Sequence, residues 1–106
     1  MILSTTEIIP QRQIRQIVGL VRGNIAFARN KSRNTWVDLA NLMGGEIEDF
    51  SLIQAHAREE ALNKMIQAAQ KLKADAIIGL RFSSTTIEGV SEILAYGTAV
   101  QLYEIE

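Results

Sequence analysis

The stretch SLIQAHAREEALNKMIQAAQKLKADAIIGLRF, Ser51 to Phe82, passes from a helix-period pattern into a strand-like one across Leu72-Lys73-Ala74-Asp75. With Leu62 at the centre of a helical wheel, Ala55, Met65, Ile66, Ala69 and Leu72 share one apolar face, and His56, Glu60, Asn63, Gln67 and Lys71 fall opposite. A long amphipathic helix is therefore expected to feed directly into a strand at Ala76-Ile77-Ile78-Gly79-Leu80-Arg81-Phe82. Ser51 suits the helix N-cap, with Asp49 competing, and the acidic Glu46-Ile47-Glu48-Asp49 just before it complements the positive end of the helix dipole.

Upstream, Gln16 to Ala28 reads as a long strand with apolar groups on both faces, Ile17, Val21, Ile25 and Phe27 on one and Val18, Leu20 and Ala26 on the other. Pro10 marks an irregular lead-in before it, since proline cannot donate to a ladder. The polar run Arg29 to Asn34 reads as a loop. A short helix carrying Trp36, Leu39, Ala40 and Met43 follows, and Gly44-Gly45 stops it. Downstream, Ala76 to Thr85 and Glu92 to Glu104 form two strands joined through Thr86 to Ser91, a connection whose length and Gly89 suit a hairpin. The expected order is strand, helix, helix, strand, strand: an α+β domain in a chain of 106 residues, the whole of 1–106 forming one domain. A chain of this size buries roughly 65% of its unfolded surface, enough for one modest core.

The last strand carries Leu94, Tyr96, Val100 and Leu102 on one side and Ile93, Ala95, Ala99 and Tyr103 on the other, so neither side is patterned for water. One layer of helices covers one side only. The economical cover for the second is another copy of the chain, and the helix adds a shoulder of small residues, Ala57, Ala61 and Ala68, against which a neighbour's backbone fits closely. Glycines within the strands, at 19, 23, 79 and 97, call for bulges, bends or close neighbours.

Six segments in order resemble the YbjQ-like family, whose label refers to heavy-metal binding. They are Ser4-Thr5-Thr6, the strand from Ile17 to Gly23, Leu42-Met43-Gly44-Gly45, Ala57-Arg58-Glu59, the run from Ala74 to Gly79, and Gly97-Thr98-Ala99-Val100. The resemblance implies a β-α-β-β unit whose three-stranded antiparallel sheet has the last strand central and one face covered by one long and one short helix. It is similar to dodecin subunits in this, and implies a ring-like homopentamer. The chain departs from the family pattern at Glu46, where a basic residue commonly follows the two glycines, and at Phe50, where tyrosine is usual.

Composition bounds the chemistry. With 47% hydrophobic residues and a net charge of −1, the chain is neither disordered nor a globally basic nucleic-acid binder. No cysteine is present, which removes thiolate nucleophiles and sulfur-ligated zinc and makes a reducing cytoplasm the expected location. Neither a signal sequence nor a membrane span is expected. His56, the one histidine, stands at i, i+4 to Glu60, a spacing that can place two ligands on one metal; two ligands do not make a site, and ordinary exposure on the polar helix side is the plainer account. Oligomer symmetry would bring copies of Glu46, Glu48 or Asp49 around a cation. Arg29, Lys31 and Arg33 precede the Trp36 helix, where free N–H groups favour phosphate or carboxylate, and Arg12, Arg15 and Arg22 would extend that patch toward nucleic acid. A solvated connector is the plainer account of that loop, which lacks a glycine-rich cradle. No nucleophile and base pair is assignable: Ser83, Ser84, Thr85 and Thr86 read as strand and turn residues, and Arg58 as an interface ion-pair former. The expectation is a homo-oligomeric scaffold for a small ligand or metal ion, with no enzymatic role and no resident cofactor.

Overall fold

The computed structural model describes residues 1–28 and 47–105. They form strand β1 (Ile2–Leu3), strand β2 (Ile14–Ala28), helix α1 (Ile47–Lys71), strand β3 (Ala76–Ile87) and strand β4 (Val90–Leu102). The short helix expected around Trp36 and its Gly44-Gly45 stop lie outside the described residues. The strands make one sheet in the order β1-β3-β4-β2, with β4 interior and antiparallel to both long neighbours.

The sheet has four strands where three were expected. Ile2 and Leu3 pair in parallel with Ala76 and Ile77, and the ladder runs on through Ser4 N–H to Ile77 O at 2.9 Å and Gly79 N–H to Thr6 O at 2.9 Å. Two residues are too few to show an alternation, so this edge left no periodic signal. Pro10 does sit in an irregular lead-in between β1 and β2.

Helix α1 begins at Ile47, so Ser51 lies inside it and is no cap. Its buried positions are Ile53, Ala57, Ala61, Met65 and Ala69, a strict i, i+4 row, while Leu62 is half-buried and Leu72 exposed. The small-residue shoulder is thus the main contact, directed at the chain's own sheet. The reason lies in β2. A Cβ on Gly23 would stand 2.4 Å from Ala61 O and 2.5 Å from Met65 N, so helix and strand backbones meet where glycine faces alanine. The helix ends in a Schellman arrangement: Lys73 takes φ +62°, its N–H bonds Gln70 O, and Ala74 N–H reaches back to Ala69 O.

Two bulges decide which apolar groups face the helix. In β2, Ile17 pairs with Val100 and Gly19 with Ala99, so Val18 is inserted and joins the helix-side core, while Ile17 turns to the back of the sheet with Leu20. The expected grouping of Ile17 with Val21, Ile25 and Phe27 is corrected by that one extra residue. In β3 the register shifts between Ile78 and Arg81, where Gly79 adopts φ +62°, and both Ile77 and Leu80 reach the helix side. The β3–β4 hairpin turns on Glu88 and Gly89 alone, both at positive φ, the two-residue geometry that matches strand twist.

The helix-side core gathers Val21, Ala57, Ala61, Met65, Ala69, Ile77, Leu80, Ile93, Ala95 and Ala99. A second cluster lies on the back, where Ala76, Ile78, Val100 and Leu102 are packed by Ile9 of the chain's own lead-in and by Ile14 at the start of β2. Elsewhere on the back large apolar side chains are exposed: Ile17 is 68% exposed, Leu20 65% and, at the hairpin tip, Ile87 65%.

Candidate functional site

His56 and Glu60 project from the exposed side of α1, with His56 Nε2 3.6 Å from Glu60 Oε2. They are one turn apart on a single helix, which is why they meet. Nothing else joins them: among the described residues no group of three histidine, cysteine, aspartate or glutamate side chains is close enough to hold a metal ion. Met65, the soft donor nearest in sequence, is fully buried in the core. The donor set of one chain, so far as described, does not fit a heavy metal, which calls for more than two ligands and prefers sulfur. Glu48 and Asp49 belong to the first turn of α1, where side-chain positions lie outside the described structure, and Glu46, Arg29, Lys31 and Arg33 lie outside the described residues altogether.

The hydroxyl row Ser83 to Thr86 runs along the exposed distal part of β3, and its one side-chain partner among the described residues is local, Thr86 Oγ1 with Ser91 Oγ at 3.1 Å. Arg58 is exposed on α1. The three arginines considered together for nucleic acid are separated by the fold. Arg22 stands on the back of the sheet in a cross-strand row with Tyr96 and Arg81, whereas Arg12 and Arg15 line a cleft at the opposite end of β2.

That cleft was not legible as a site, because its walls come from three separated segments: the lead-in with the start of β2, the turn after α1, and the end of β4 with the residues after it. Arg12, Arg15 and Lys73 border it together with Asp75, Gln101 and Tyr103. Gln101 is the tie at its centre. Its Nε2 donates to Lys73 O at 3.0 Å, and its Oε1 accepts from Gln16 Nε2 at 3.1 Å and from Arg15 Nη2. Leu102 N–H donates to Asp75 Oδ2 at 2.8 Å, Tyr103 N–H to Gln13 O at 2.9 Å, and Arg12 Nη2 to Tyr103 O at 3.2 Å. The sequence held one partial clue, the pair Arg12 and Arg15; Lys73, Asp75 and Gln101 gave none.

No helix among the described residues is long and apolar enough to cross a membrane.

Comparison with known proteins places these features in context. A family model, YbjQ_1, described as "Putative heavy-metal-binding", matches residues 1–103. A UPF0145 protein from Archaeoglobus fulgidus is 47% identical over 102 residues, covering 95% of this chain and 94% of that one. Another from Thermotoga maritima is 44% identical over 106 residues, covering 99% and 100%. A crystal structure of a protein of unknown function of the DUF74 family, from Pediococcus pentosaceus, superposes with a TM-score of 0.65 at 20% identity over 97% of this chain and 98% of that one, a likeness of fold. None of these descriptions names an enzyme.

Proposed function

The chain belongs to the YbjQ-like family, and we propose that within it this protein is a homo-oligomeric scaffold, a pentamer by family resemblance, that binds a small ligand or metal ion and performs no catalysis. The observation that carries the reading is the open back of the sheet. Ile17 and Leu20 stand exposed on β2, the outermost strand of the sheet among the described residues, with Tyr96 next to them on β4 and Ile87 and Val90 exposed at the tip. The subunit is also long and thin, 54 × 21 × 19 Å with a radius of gyration of 16.8 Å, against about 13 Å for a compact domain of 100 residues. Such a shape leaves apolar surface that a second copy would cover. A 15-residue strand that is outermost in the sheet among the described residues is the kind of surface that proteins otherwise protect or pair.

A metal ion, on this reading, takes donors from more than one copy, His56 and Glu60 from one and Glu46, Glu48 or Asp49 from others around the symmetry axis. The cytoplasm is the proposed compartment, in keeping with a chain that has no cysteine. Native mass spectrometry tests both parts at once. The expected result is a multimer that binds zinc, nickel or copper with fewer ions than chains, or carries a co-purified small molecule. A multimer that binds none of these metals and carries nothing would remove the ligand role, and a monomer would remove the scaffold.

A further inference from the structure

We infer that the cleft at the helix-α1 end of the sheet is a binding site for a small oxyanion, of the class of phosphate or a metabolite carboxylate, held by Arg12, Arg15 and Lys73. Three cations border this one depression. Two carboxylates share it, Asp75 and Glu104, yet none of the three cations forms an ion pair with either among the described residues. Asp75 instead spends an oxygen on Leu102 N–H, which fixes the turn after α1. The cations therefore keep their charge available to a ligand.

Arg12 meets no anion among the described residues. Its Nη2 bonds the neutral carbonyl of Tyr103, and its Nε is buried without a hydrogen-bond partner among the described residues. That Nε is out of a ligand's reach, but the guanidinium lines the cleft and is the group best matched to a carboxylate or phosphate edge. Arg15 is oriented by Gln101 Oε1, which also ties β2 to β4 and, through Gln101 Nε2, to the turn that carries Lys73. The guanidiniums are thus held in place before a ligand arrives, which lowers the ordering cost of binding.

The backbone points to the same place. Among the described residues three non-glycine positions have positive φ: Gln11, Lys73 and Glu88. Glu88 belongs to the two-residue hairpin turn, which requires it. Gln11 and Lys73 both line the cleft, and Lys73 stands where helices prefer glycine. Keeping lysine there costs stability and retains a cation at the rim, a pattern found at functional positions. All three cations come from one chain, so this site is independent of the proposed assembly.

Calorimetric titration with inorganic phosphate, and separately with succinate, at low ionic strength tests the site. Saturable binding of either is expected, weakening as salt rises. Arg15→Gln and Lys73→Gly should each bind about tenfold more weakly, the loss of one charge-assisted hydrogen bond. Lys73→Gly suits the local backbone, so its loss of binding would come in a folded protein, as its thermal melt would show. Arg22→Gln, on the back of the sheet, should bind as the parent does. Absence of saturable binding by the parent to both anions would overturn the site, as would equal binding by the parent, Arg15→Gln and Lys73→Gly.

Discussion

Two apolar patches lie side by side on the back of the sheet and are treated differently. One, made by Ala76, Ile78, Val100 and Leu102, is closed by Ile9 of the chain's own lead-in and Ile14 at the start of β2, and its members are at most 8% exposed. The other, around Ile17, Leu20 and Tyr96, has the same chemistry and no such cover among the described residues. The first is completed by ten residues of irregular chain before β2; the second lies beyond their reach. Among the described residues the chain's own cover thus ends partway across a single sheet face, and the remainder of that face is what the proposed assembly would use.

Substitutions that place the same charge in each patch separate the two most sharply. Val100→Asp buries an unpaired carboxylate in the closed patch and is expected to cost 3 kcal/mol or more, by the order of magnitude ~3–5 kcal/mol for an uncompensated buried charge, read as loss of the cooperative urea transition. Gly23→Ala, on the helix side, should cost about 2–3 kcal/mol, because the new Cβ meets the backbone of Ala61 and Met65 and α1 must lift. A lower melting temperature would report it; an unchanged one would mean that helix and strand do not approach as described.

Leu20→Asp in the open patch should leave the folding of the individual chain within about 0.5 kcal/mol, as exposed sites do, while dissociating the multimer on a sizing column. If it unfolded the chain as Val100→Asp does, the distinction between the patches would fail. The smallest effect concerns the cleft. Lys73→Gly relieves a left-handed lysine and should stabilise the chain by up to about 1 kcal/mol in denaturant unfolding, at the expense of the proposed anion affinity.

Much of this architecture was legible in the residues. The turnover from helix to strand between Leu72 and Ala76, the two-faced apolar β4 and the irregular lead-in at Pro10 all follow from periodicity and proline chemistry. What periodicity missed has physical causes. An inserted residue reverses the alternation, so Ile17 was assigned to the wrong face. A wheel weighted by side-chain size centred α1 on Leu62, whereas the contact is governed by how closely two backbones approach, and glycine at 23 selects Ala57 and Ala61. The cleft is assembled from positions nearly ninety residues apart, Arg12 and Arg15 against Gln101 and Tyr103, and no local pattern links them. His56 with Glu60 was readable because both lie on one helix, and the structure adds no third donor among the described residues.

The central claim is that the open patch is covered by other copies of the chain. Light scattering on the eluting protein tests it most directly. The account predicts a mass several times the 11.8 kDa of one chain, five times if the family resemblance extends to assembly, falling toward a single chain for Leu20→Asp. A mass of 11.8 kDa for the parent across the accessible concentration range would contradict it.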